Sequence, residues 1–164
     1  DMESKRFGKT DESGKKLIIK MLGSQKTHGF DIDSIYYLDG KWRIIELLKC
    51  DTVEPYKSHP FRYPKNWQKF ASLFEITNAL KGELWLVNYS TVPEWENEVR
   101  LLIVEDMYYD KIKEYLKKPK VYGAPEYLEY LKIKKDSLMT YDEFSDFFRE
   151  VNNKATALWL DKIK

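Results

Sequence analysis

Leu17, Ile18, Met21 and Leu22 recur at the three- and four-residue spacing of one helix face. They predict a first helix, capped by Thr10 or Asp11 and stopped by Gly23. From Phe30 the pattern turns to that of strands. Phe30 to Leu38 and Trp42 to Cys50 are β-prone runs joined by Asp39-Gly40, a dipeptide favoured in two-residue type I′ turns. A loop punctuated by Pro55 and Pro60 follows. Pro64 suits the first turn of a second helix that runs to Lys81. Its apolar face holds Trp67, Phe70, Ala71, Phe74 and Leu80, and Gly82 stops it. "ELWLVNYS" (Glu83 to Ser90) and "EVRLLIVEDM" (Glu98 to Met107) read as buried strands.

Beyond Met107 the pattern changes to short helices. Asp110 to Lys117 is one, and Lys118 to Pro125 is a loop. "PEYLEYL" and "TYDEFSDFFREVNNKATALWLDKI" read as helices, the second opening with Thr140 and Glu143 as a capping box. "DEFSDFF" lacks the oxygen ligands and central glycine of a calcium loop. The fold class expected is α/β, a mixed β-sheet core flanked by helices, with a helical C-terminal extension. The core spans residues 11–107, and residues 108–164 form the extension, packed on the same domain.

Composition narrows the function classes only a little. A chain of 164 residues fits one domain with a real core. A net charge of +1 names no partner. A single cysteine, Cys50, excludes an internal disulfide or a Cys-rich zinc site. A reducing compartment is expected, cytoplasmic or nucleoid-associated. No apolar run approaches the roughly 18 residues of a membrane span. Residues 1–16 are polar, without the apolar centre of a secretion signal.

The hairpin carries the chemistry. A type I′ turn at Asp39-Gly40 sets Leu38 against Lys41, Tyr37 against Trp42, Ile35 against Ile44 and Asp33 against Glu46. Opposed residues share a sheet face, with β-carbons about 5 Å apart. Asp31 lies two residues further along the same face. Three carboxylates so placed repel one another, and a divalent cation compensates simply. Oxygen-only ligands suit Mg²⁺ or Mn²⁺ better than zinc. The plainer reading is a solvated polar strip, but the apolar run "WRIIELLKC" around Glu46 argues against it.

Asp33 on one strand, Glu46 and a following lysine on the next, and a helix on either side resemble the PD-(D/E)XK nucleases. These are the restriction-endonuclease-like phosphodiesterases, and the resemblance covers residues 11 to 90. It implies an αβββαβ core, Mg²⁺ bound by Asp33 and Glu46, and Lys49 assisting the attacking water. Asp31 is an alternative ligand. Glu12, on the leading helix, matches a position where many members carry a further acid. Here two residues, Leu47 and Leu48, separate acid from lysine where the family has one. In an unbroken strand Lys49 then points away from Glu46. Either a β-bulge brings it round, or another residue serves. Lys65, Gln68, Lys69 and Ser72 form a stripe on the second helix, from which Lys69 or Gln68 could reach the site. The family is known for such migration of the lysine and for a helix glutamine near the metal.

"EPYKSHPFRYPKNWQK" then offers a surface for phosphates and bases. Lys57, Ser58, His59, Arg62, Lys65 and Gln68 are the expected backbone contacts, with Tyr56, Phe61, Tyr63 and Trp67 interleaved. The plainer reading makes the aromatics core and the cations solvated, and Trp67 fits that better. The function expected is a Mg²⁺-dependent endonuclease hydrolysing phosphodiester bonds in DNA. Its alternatives are an RNA-directed nuclease, or a catalytically inactive nuclease-fold module that binds nucleic acid or a protein. A homodimer follows if both strands of a duplex are cut.

Overall fold

Asp39 and Gly40 both adopt positive φ, 48° and 77°, the backbone a type I′ turn requires. They join β1 (Ser34–Leu38) to β2 (Lys41–Lys49). The strands are antiparallel, with Leu38 against Lys41, Tyr37 against Trp42 and Ile35 against Ile44. That is the register expected from the turn. The first strand is shorter than the run from Phe30 and begins at Ser34.

The computed structural model describes residues 12–60, 66–119, 129–153 and 155–164. They belong to two compact units, Asp1–Asp31 and Ile32–Lys164. The first unit contains α1 (Ser13–Leu22), ended by Gly23 at φ 57°. The second contains the hairpin, then α2 (Trp67–Ala79), β3 (Glu83–Tyr89), β4 (Glu98–Met107) and α3 (Tyr109–Lys117). It closes with β5 (Leu131–Thr140), α4 (Tyr141–Asn152) and α5 (Ala155–Ile163).

The five strands form one mixed sheet in the order β1-β2-β3-β4-β5. Only β2 and β3 are parallel, as a crossover through α2 permits. Both faces are covered. Ile44, Leu84, Leu86 and Leu102 pack against Phe70, Leu73 and Phe74 of α2 and Ile112 of α3. Leu38, Ile45, Trp85 and Leu101 pack on the other side against Phe144, Phe147 and Phe148 of α4. Trp67 and Ala71 pack at the edge of the first cluster, whereas Leu80 is 39% exposed. The fold is therefore α/β, with helices on both sides of a mixed sheet.

Gly82 follows α2 for a reason other than its stop signal. Lys81 takes the left-handed conformation, φ 54°, and its N–H bonds Asn78 O at 3.0 Å. The Gly82 N–H reaches Thr77 O at 2.8 Å, completing a Schellman motif. A β-carbon on Gly82 would collide with the Trp42 carbonyl oxygen. Glycine is needed for the close approach of two backbones.

One expectation needs correction. The C-terminal extension is not purely helical, because Leu131–Thr140 is a strand paired with β4. The register shifts between Ile103 and Val104, and again before Asp106. Ile133 therefore packs with the α2-side cluster and Met139 with the α4-side cluster. The bulge at Lys134 breaks the period-2 pattern that would have marked the strand. Among the described residues β1 and β2 lie between α1 and α2, whereas an αβββαβ order contains three strands there. No helix among the described residues is long and apolar enough to cross a membrane.

Candidate active site

Glu46 lies at the fourth of four successive buried positions in β2. Strand alternation points Ile44, Glu46 and Leu48 toward α2, with Ile44 and Leu48 in its core cluster. Glu46 is 2% exposed. A carboxylate there needs a partner, and α2 supplies one. Lys69, in the first turn of that helix, ion-pairs with Glu46 Oε1. Glu46 Oε2 has no hydrogen-bond partner among the described residues. Burial pushes the Glu46 carboxyl above its ordinary range; Lys69 opposes that rise and the Asp33 charge adds to it.

Asp33 sits one residue before the β1 ladder. Its Oδ2 accepts a hydrogen bond from Leu47 N at 2.9 Å, which holds Asp33 beside Glu46 just past the last ladder pair, Ser34 against Ile45. Asp33 is exposed and Glu46 is buried. Asp31 and Glu12 belong to the first unit. There Asp31 Oδ2 lies 2.7 Å from Lys15 Nζ. Among the described residues no group of three or more His, Cys, Asp or Glu side chains could hold a metal ion. The donors that remain are two carboxylates, one with an orphaned buried oxygen. Such hard oxygen donors fit a hard divalent cation.

Lys49 does not join them. β2 pairs with β3 without interruption from Arg43 against Glu83 to Lys49 against Tyr89. No bulge follows Glu46, and Lys49 stays on the opposite face. It is 58% exposed, with Nζ 3.5 Å from Asp51 Oδ2. The lysine at the buried acid is Lys69. Gln68 is exposed beside it, and its backbone carbonyl accepts from Ser72 Oγ at 2.8 Å.

Asp51 has a different task, which no motif announced. Its carboxylate accepts from Ser90 Oγ and Thr91 N, both at 2.9 Å, and from Thr91 Oγ1 at 2.7 Å. These bonds clamp the exits of the parallel strands β2 and β3. The Thr91 bonds first, then Ser90 and Lys49, hold its pKa down at about 2.

The loop after Asp51 is built inward as well as outward. Ser58 is 1% exposed, which removes it from any contact surface. Its carbonyl accepts from Asn88 Nδ2 at 2.7 Å and from Arg100 Nη1 at 2.9 Å. Tyr56 donates its hydroxyl to Met139 O at 2.8 Å. His59 is partly buried; burial and then the Arg100 charge lower its pKa, so at neutral pH it is a poor phosphate cation. Lys57 is exposed and pairs with Glu54 at 2.6 Å. Arg62 and Lys65 lie outside the described residues.

The opposite face holds an open groove of about 860 Å³. Leu47, Val87 and Val99 form its floor, and Tyr89, Tyr141 and Phe144 are aromatic lining residues. It opens at the carboxyl ends of the parallel pair β2 and β3, where open α/β sheets commonly bind ligands. No family model, no curated protein and no solved structure matches the chain.

Proposed function

We propose that the protein is a metal-dependent endonuclease of the PD-(D/E)XK type, hydrolysing phosphodiester bonds in DNA. One observation carries this reading. A buried carboxylate, Glu46, has one oxygen on Lys69 and the other unpartnered among the described residues. Asp33 stands beside it on the hairpin. Asp33 and Glu46 would hold Mg²⁺ or Mn²⁺. A cation held there supplies polarisation of the phosphoryl oxygen and a water of lowered pKa.

The chain's own residues do the rest. Lys69 favours the charged form of Glu46 by pairing with it, and its ammonium offsets negative charge developing on the attacked phosphate. α2 fixes Lys69 through Phe70, Leu73 and Phe74, which anchor the helix in the core. Lys57 and Gln68 are exposed contacts for the nucleic-acid backbone.

A second reading is a nuclease-like module that binds without cutting. The position of Lys49 on the far face favours it, as do the two strands before α2 among the described residues. One experiment tests both. Supercoiled plasmid, single-stranded DNA and RNA are incubated with the protein in Mg²⁺, Mn²⁺ or EDTA. Cation-dependent cutting is expected, lost in Asp33→Ala and Glu46→Ala, and reduced at least about a hundredfold in Lys69→Ala. Cutting that survives Asp33→Ala and Glu46→Ala rules out this site. Binding without cutting selects the second reading, and cutting of RNA alone makes the substrate RNA.

A further inference from the structure

The groove opposite Glu46 has a chemical character of its own. Its volume, about 860 Å³, lies within the range of about 300–1,000 Å³ typical of small-molecule sites. Its floor is apolar, and Leu47 leaves 49% of its surface open there, on an interior strand of the sheet. Two tyrosines and Phe144 surround this floor. Glu96 is the one charged lining residue, and it is exposed. It makes no ion pair among the described residues.

Acidic residues flank the groove in sequence. Glu98 and Glu143 neighbour the lining residues Asn97, Val99 and Phe144 in sequence. Their charges both raise the phenol of Tyr56, as burial does before them. Two lysines near this end have acidic partners, Lys49 with Asp51 at 3.5 Å and Lys57 with Glu54 at 2.6 Å. The lining supplies a carboxylate and aromatic side chains, groups that together recognise organic ammonium cations.

We propose that this groove binds a small organic cation with an aromatic or apolar body. The body rests on Leu47, Val87 and Val99, and the cationic group sits at Glu96 among the aromatic rings. The site is separate from the Glu46 face and does not depend on nuclease activity.

The test is calorimetric titration with three probes of one shape: 2-phenylethylammonium, 2-phenylethanol and 3-phenylpropionate. The ammonium should bind at least about fivefold more tightly than the alcohol, and the carboxylate most weakly. Glu96→Gln should erase that preference while leaving the alcohol's affinity unchanged. Tyr141→Ala should weaken the ammonium severalfold, and Leu47→Trp should block all three probes by filling the groove. Glu46→Gln should leave binding unchanged, which separates this site from the proposed nuclease. Equal binding of all three probes, no binding, or a preference that survives Glu96→Gln overturns the proposal. So does a basic amphipathic peptide that binds more tightly than the ammonium, which would make the groove a protein-docking surface.

Discussion

Glu46 and Leu47 are neighbours in β2, yet Glu46 is 2% exposed and Leu47 is 49% exposed. A strand that buries its acid and exposes its leucine inverts the usual partition. Each inversion has a local cause. Glu46 stays inside because Lys69 descends from α2 onto it. Leu47 stays open because α4 covers the α4-side cluster but leaves a groove beside Val87 and Val99. One residue of alternation separates the two environments. The comparison teaches that both departures from pattern occur where a ligand could be held, which is where departures from local consistency are expected.

The largest test of this contrast removes the cation from the buried side. Lys69→Met should cost about 3 kcal/mol or more in urea unfolding, because it strands a buried carboxylate. The loss should grow with pH as Glu46 ionises. Adding Glu46→Leu should recover most of it, and a single variant as stable as wild type would show the pair to be unimportant. A second test sets Ile44→Ala against Leu47→Ala. Ile44 is fully buried on the α2 side, and its truncation should cost about 3 kcal/mol. Leu47→Ala should cost less than about 1 kcal/mol, because half its surface already meets water. Comparable losses would mean that the groove closes in solution.

A smaller effect probes the wall of the groove. Thr140 Oγ1 accepts from Glu143 N at 3.2 Å and caps α4. Thr140→Ala should lower stability by about 1 kcal/mol, measured by thermal melting.

The least costly test uses pH. Asp51 has its folded pKa lowered to about 2 from an ordinary 3.8. Its contribution is present above pH 3.8 and is lost as pH falls through about 2. Glu46 has its folded pKa raised above an ordinary 4.5. Its contribution is present below that value and is lost as pH rises through the folded pKa. Asp51→Asn should therefore flatten the acid limb of a stability–pH curve, and Glu46→Gln the limb above it. Interchanged effects would contradict the environments assigned to these two acids.

Much of the fold was legible along the chain. The Asp39-Gly40 turn, the hairpin register, the bounds of β4 and the Thr140 cap all arise from residues close in sequence. β5 was hidden because its side-chain alternation changes face at the Lys134 bulge. Ser58 sits in a polar loop sequence, and its burial depends on Asn88 and Arg100, 30 and 42 residues away. In the candidate site, Asp33 and Glu46 were legible as a pair because one turn relates them. The choice of lysine was not.

By itself the sequence determined that an acid would stand at position 46, one residue past the Ser34–Ile45 pair, on a strand of largely apolar residues. A two-residue turn admits few registers, so that placement is local. Whether a lysine would reach it depended on β3, which holds β2 in an unbroken register through Lys49 and keeps that side chain on the far face. It depended equally on α2, whose packing through Phe70, Leu73 and Phe74 carries Lys69 over Glu46. Those are decisions of pairing and packing between distant segments, and only the tertiary structure makes them.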